Sequence, residues 1–269
     1  MLTLITLFTG LTLVTAGCGD TGSGGATRGI SGGATTSAGQ PSAPASAQRV
    51  DAATAARAFA LLADLEAAKA RGDCAAVADL TSWAAKTLGG RACEATRNGR
   101  PARAPADPVY LLPVAGDWFA VLAKTPDPAY YLFTKEEGRW RLAAGPVPVL
   151  SGEPPAQAAT AEPDEALVRR ARLVPQRHLT YLTDPAGVNG VRFPAKDRLH
   201  ALRASLAEQA ADVELLDSPP FHLPLADGSM LIFDALSVTR KKARELVVLG
   251  SVLSAGNKLT TVALARAGA

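Results

Sequence analysis

Residues 19–48 read GDTGSGGATRGISGGATTSAGQPSAPASAQ, and Ile30 is the single large aliphatic side chain among them. Such a stretch cannot bury enough apolar surface to offset the entropy of ordering its backbone. Its composition predicts a disordered tether and leaves folding to residues 49–269. A coil of this length and composition has an end-to-end distance of roughly 30 Å.

The segment before the tether, MLTLITLFTGLTLVTAG (1–17), carries no charged side chain. It is shorter than the ~20 apolar residues of a membrane-spanning helix, and Thr at 3, 6, 9, 12 and 15 dilutes its hydrophobicity. It reads as the apolar core of a secretory signal. The segment closes on Thr15-Ala16-Gly17-Cys18. Small residues before a Cys resemble the lipobox of bacterial lipoproteins, with Thr15 standing where Leu is usual. That resemblance implies removal of 1–17 as a signal peptide and transfer of a diacylglyceryl group to the Cys18 thiol. It also implies residence at the extracytoplasmic face of the cell membrane. Two acyl chains supply the double signal that stable anchoring requires, at ~0.8 kcal/mol per buried methylene.

The remaining cysteines, Cys74 and Cys93, form an even pair in a chain read as exported, which predicts a structural disulfide. Two buried thiols are the alternative. No C-x-x-C is present, so nothing points to redox catalysis. Closing a loop of this size stabilises a fold by roughly 3 kcal/mol on the chain-entropy model.

Beyond the tether the chain divides into two stretches of similar order. Residues 50–72 predict an Ala-rich helix with Phe59, Leu62 and Leu65 on its apolar face, broken at Gly72-Asp73. A second helix carries Leu80 and Trp83 and stops near Gly89-Gly90. A polar loop, 97–108, precedes strands at Val109–Val114, Asp117–Lys124, Tyr130–Lys135 and Arg139–Ala143, the last two joined at Glu136-Glu137-Gly138. Residues 145–165 are rich in Pro, Ala, Gly and Glu and place a linker at 149–163.

In the second stretch, Pro175 opens a helix through Leu182, and 195–211 is amphipathic with Leu199, Leu202, Leu206 and Ala210 on one face. Strands are expected at Phe221–Ala226, Ser229–Leu236, Leu246–Leu253 and Leu259–Leu264, with Asp227-Gly228 as a hairpin turn. The most economical fold class is α+β. Two tandem units, 49–148 and 164–269, would each hold helices followed by a four-strand antiparallel meander, an order like that of cystatin and NTF2-like folds.

The layout is similar to that of a group of actinobacterial lipoproteins with an extracellular domain of unknown function, over residues 48–266. The resemblance rests on the Ala-rich first helix, on Gly116-Asp117-Trp118-Phe119-Ala120-Val121, and on Gly138-Arg139-Trp140-Arg141-Leu142 followed by Pro146. The Pro175…Leu179…Tyr181-Leu182 helix belongs to it as well. It implies one functional residue, the lipidated Cys18.

Chemical signatures are sparse. A net charge of +3 over 269 residues is no nucleic-acid footprint, and Arg240, Lys241, Lys242 and Arg244 are the one dense basic run, read as a solvated turn. His178, His200 and His222 sit in no metal-ligand spacing, so no metal and no cofactor is expected. There is no G-x-S-x-G, and Ser229 after Asp227-Gly228 is better explained by the turn. Glu136-Glu137 reads as a turn rather than a glycosidase pair. Trp83, Trp118 and Trp140 read as core. The chain is therefore read as a non-enzymatic binding or protein-interaction module, with an envelope protein as partner and no nucleic acid. The alternative is a carrier of a lipid or other apolar ligand in the cell envelope.

Overall fold

The computed structural model describes residues 49–87, 93, 104–114, 116–150, 155, 158–159, 164–184, 192–217, 221–241 and 243–268. The leader, Cys18, the tether, the helix stop at Gly89-Gly90, residues 97–103 of the polar loop and most of the expected linker lie outside them.

Helix α1, Ala52–Arg71, starts where the Asp51 carboxylate accepts from the Thr54 amide (2.7 Å) and ends at Gly72, whose φ of 66° suits a glycine C-cap. Ala55, Ala58, Leu62, Leu65 and Ala68 make its buried face. Three of these five are Ala, which lets the helix backbone approach the sheet beneath it closely. Asp73 caps α2, Cys74–Leu80, through the Ala76 amide (3.0 Å). The expected second helix is interrupted. Thr81 is extended and forms a parallel bridge to Leu142, and 83–87 are helical again.

Strands β1 (Ala106–Leu111), β2 (Trp118–Thr125), β3 (Ala129–Glu136) and β4 (Arg139–Pro148) form an antiparallel meander in chain order. The period-2 alternation of side chains gives this sheet two apolar faces. Phe119, Val121 and Phe133 face α1 and α2, while Ala120, Leu122, Tyr130 and Leu132 face the other way.

Helices α3 (Glu165–Arg172), α4 (Val174–Thr183) and α5 (Arg198–Glu208) precede the second sheet. Asp164 and Asp197 cap α3 and α5, and Pro175 lies in the first turn of α4. The long strands β7 (Met230–Arg240), β8 (Ala243–Leu253) and β9 (Leu259–Gly268) pair antiparallel. Two short strands, β5 (Asp212–Leu215) and β6 (Phe221–Pro224), share the other edge of β7. Leu236 and Val238 of β7 and Val247 and Leu249 of β8 pack on Leu182, Leu199 and Leu202 of the helices. The opposite face presents Leu231, Phe233, Ala235 and Val248.

That opposite face meets the inner face of the first sheet. One buried cluster contains Leu122, Tyr130 and Leu132 from the first sheet and Phe221, Leu231 and Phe233 from the second. The Tyr130 and Phe233 rings are 5.3 Å apart. Trp83 and Trp118 flank Phe221 at 4.9 and 5.2 Å, and Trp140 lies 5.0 Å from Phe119, so all three tryptophans pack as expected from the sequence. The layers run helices, sheet, sheet, helices.

Two tandem units of helices followed by a four-strand antiparallel meander in cystatin/NTF2-like order are therefore not what forms. Antiparallel strands dominate, and the second sheet has five strands with the order β5-β7-β8-β9 and β6 also on β7. That branched pairing breaks the meander. Its source is the length of β7, whose 11 residues offer two short strands room on one edge. The two sheets also bury their apolar faces against each other.

Candidate functional site

The sheets meet at one corner, where β4 runs past its own sheet towards β9. Gly145 makes this possible. Its φ is 145°, and a Cβ there would lie 2.7 Å from Tyr131 Cδ1 and 3.2 Å from the Tyr130 carbonyl oxygen. Only glycine accepts both the dihedral and the approach. The β3–β4 register shifts beside it, between Tyr130 and Phe133, and such irregularities bend a strand. The bent end delivers Val149 to a bridge with Ala263 and the Leu150 amide to the Val262 carbonyl (2.9 Å).

Along this seam lies a groove of about 390 Å³. Its walls come from β4 (Ala144, Pro146), from β8 and β9 (Val248, Ala265), and from α1 and the residues after α2 (Leu65, Ala85). Small side chains on several elements leave the space open. Lys69 and Arg266 stand at its polar margin. Lys69 Nζ is 2.8 Å from Glu66 Oε1. Arg266 grips Glu245 in a two-point contact, Nε at 2.5 Å and Nη2 at 3.1 Å, while Arg240 pairs with the same carboxylate. A second hollow of about 240 Å³ adjoins the first and shares Leu264 and Arg266 with it. Near the groove, burial pushes the Tyr131 phenol up, with a smaller push from Glu66, and burial also pushes up Tyr130, which donates to the Pro155 carbonyl (2.9 Å).

The fold also gathers three residues that no sequence motif connects. His178 Nδ1 is 2.9 Å from Asp234 Oδ1, and Ser251 Oγ is 3.3 Å from His178 Nε2. The order resembles a nucleophile, base and orienting carboxylate. Exposure decides against reading it as a reaction centre, since His178, Asp234 and Ser251 are 0%, 3% and 0% exposed. A nucleophile must touch its substrate, and Ser251 touches only the interior. The triad ties α4 to β7 and β8.

Cys18 and Lys242 lie outside the described residues; the others singled out in the sequence have a structural role or a plain surface position. Cys74 and Cys93 are bonded, with Cα atoms 5.6 Å apart, and Cys93 is fully buried. His200 Nε2 donates to the Pro194 carbonyl (2.8 Å), leaving Nδ1 to accept from the Tyr181 hydroxyl. His222 lies on β6 opposite Ile232. Among the described residues, no three His, Cys, Asp or Glu are grouped to hold a metal, and no helix is long and apolar enough to cross a membrane. Ser229 donates from its hydroxyl and its amide to the Asp227 carboxylate (2.6 and 2.9 Å). These hydrogen bonds hold the Asp227 pKa below its ordinary value. Glu136 and Glu137 both accept from Arg141 at the β3–β4 turn (3.1 and 3.3 Å). Arg240 and Arg244, expected in a solvated loop, end β7 and start β8, and Arg244 Nε donates to Ser237 Oγ (2.8 Å).

Neither the groove nor the buried triad was visible from local sequence. The groove is made by Ala, Pro, Val and Leu from distant segments, residue types that carry no signature. The triad spans separations of 56 and 73 residues. Compared with known families, curated proteins and solved structures, the chain gives no significant match.

Proposed function

We propose that this chain is a lipoprotein anchored through Cys18 at the extracytoplasmic face of the membrane, where it binds an apolar ligand without catalysing a reaction. The seam groove carries this reading. Its volume falls within the roughly 300–1,000 Å³ typical of small-molecule sites, and its walls are mainly apolar. Each sheet is covered by helices on one face and by the other sheet on the other. The seam is therefore where an apolar ligand finds room. The uncharged leader, the Thr15–Cys18 junction and the Gly/Ser tether support the anchored location.

The test is native mass spectrometry of the full chain carrying Cys18→Ser, which blocks acylation, exported from an actinobacterial host. A lipid-sized adduct that leaves on denaturation is expected. Ala267→Phe, which places a ring in the groove, should remove it. A bare chain in every preparation, or an adduct indifferent to Ala267→Phe, overturns the groove as the ligand site.

A further inference from the structure

We infer that the ligand is an uncharged single-chain acyl amide, its chain in the seam groove and its amide hydrogen-bonded to the open backbone edge of β9. This rests on the groove being the binding site and names what it takes. Successive side chains of a strand point to opposite faces, so a hollow lined by consecutive residues of one strand looks onto that strand's edge. The groove is lined by Leu264, Ala265, Arg266 and Ala267 of β9 and by every residue from Ala144 to Pro148 of β4. Each of these strands is the outermost of its sheet. The groove is the gap left where two sheet edges splay apart.

Bridges mark where the gap begins and ends. On β4, Thr81 bridges Leu142 and Ala263 bridges Val149, and between those points no strand pairs with the outer edge among the described residues. On β9, Val262 turns its carbonyl outward to the Leu150 amide, across the bridge at Ala263. The alternation of an antiparallel strand then turns the backbone of Leu264 and Arg266 outward as well. Past Ala263 no strand pairs with that edge among the described residues, so the Arg266 N–H and C=O face the groove as an open donor and acceptor. Pro146 and Pro148 on the β4 side have no N–H and add carbonyls only.

The side chains offer a charged ligand no comparable opening. Lys69 and Arg266 are the charged residues of the lining, and each already holds a carboxylate, Lys69 that of Glu66 and Arg266 that of Glu245 at two points. A ligand carboxylate would compete with Glu66 or Glu245 for its cation, and a ligand ammonium would meet two cations. A secondary amide carries one donor, one acceptor and no charge, which complements a strand edge as a neighbouring strand does. A groove of about 390 Å³ lies near the lower end of ligand-site volumes, which favours one chain over two.

Titration calorimetry on the full chain carrying Cys18→Ser tests this, with N-methyldodecanamide, methyl dodecanoate and dodecanoate as probes below their solubility limits. Partitioning alone favours the ester, because the amide is the more strongly hydrated group. The amide should nonetheless bind about fivefold more tightly than the ester, the worth of its added hydrogen bonding, and more tightly than the anion. Arg266→Pro removes the N–H that the amide carbonyl takes, at an edge position where proline is tolerated, and should bring the amide down to the ester's affinity. Arg266→Ala removes the same side chain with the N–H in place, so the amide preference should survive it. If Arg266→Pro does not fold, the comparison of amide with ester in the parent chain decides alone. An ester or anion that binds as tightly as the amide, or an amide preference that persists in a folded Arg266→Pro, overturns the amide assignment and leaves the groove reading standing. Failure of all three probes to bind overturns both.

Discussion

His178 Nδ1 lies 2.9 Å from Asp234 Oδ1 in the interior, joining α4 to β7. Among the described residues Asp234 Oδ2 has no hydrogen-bond partner, so the compensation this buried carboxylate receives from them comes through Oδ1. Removing the imidazole strands the carboxylate entirely. His178→Ala should therefore destabilise the fold by about 3 kcal/mol or more, and Ser251→Ala, which takes away one long hydrogen bond, by about 1 kcal/mol. Urea unfolding monitored by circular dichroism measures both. In the same samples a fluorophosphonate should leave Ser251 unlabelled in the folded chain. Labelling of Ser251 would show that substrates reach it and would make the triad a reaction centre.

The disulfide ties the first residue of α2 to a Cys93 packed among Leu62, Val77 and Phe133. Its 19-residue separation puts the entropic stabilisation at roughly 3 kcal/mol. Cys74→Ala combined with Cys93→Ala should cost about that much, less whatever the buried alanine regains in packing. Thermal unfolding of the two proteins without reductant gives the value. Adding dithiothreitol should lower the midpoint of the parent chain alone.

Local chemistry announced much of the fold. Asp51, the Ala-rich face and Gly72 marked α1, and Asp227-Gly228 marked the β6–β7 hairpin. Strand β5 escaped because its alternation, Asp212-Val213-Glu214-Leu215, runs for four residues only and follows directly on the amphipathic helix. The end of β4 escaped because Gly145-Pro146-Val147-Pro148 belongs to the Pro-, Ala-, Gly- and Glu-rich stretch 145–165, so the strand is expected to stop at Ala143. Proline is tolerated there since β4 is the edge strand of its sheet. That misread segment forms a wall of the groove, which is why the candidate site could not be seen from the sequence. The branched edge of β7 depends on which strand pairs with which, and no local pattern encodes that.

Asp227 offers a pH-dependent check on the hairpin turn. Its carboxylate accepts from the Ser229 hydroxyl and amide, which favours the charged form and lowers its pKa from the ordinary 3.8. A depressed folded-state value means the contribution is complete above about pH 3.8 and is lost as pH falls through the folded value. Carbon-detected NMR titration should place Asp227 below 3.8 and show an upward move in Ser229→Ala. An unchanged midpoint in that variant would mean the hydroxyl does not hold the carboxylate in solution.

Anchoring through Cys18 makes a separable prediction. The parent chain should partition into the detergent phase of a cloud-point extraction of cells and incorporate labelled palmitate. Cys18→Ala should abolish both while leaving the far-ultraviolet spectrum of the folded part unchanged. Palmitate incorporation that survives Cys18→Ala would exclude Cys18 as the acylated residue.

Two glycines with positive φ separate backbone strain from steric contact. Gly138, φ 79°, has no atom within 4 Å of an added Cβ, whereas the Cβ of Gly145, φ 145°, would collide with Tyr131. Gly138→Ala should cost only the dihedral strain, about 1 kcal/mol. Gly145→Ala adds the collision and uses a φ that L-residues essentially never adopt, so about 3 kcal/mol is expected. The two also differ in where the damage falls. Gly145 bends β4 into the groove wall, so Gly145→Ala should diminish the lipid-sized adduct seen by native mass spectrometry, while Gly138→Ala, in a turn that lines neither hollow, should not. Equal losses of stability and equal binding in the two variants would mean that β4 reaches β9 without the bend at Gly145.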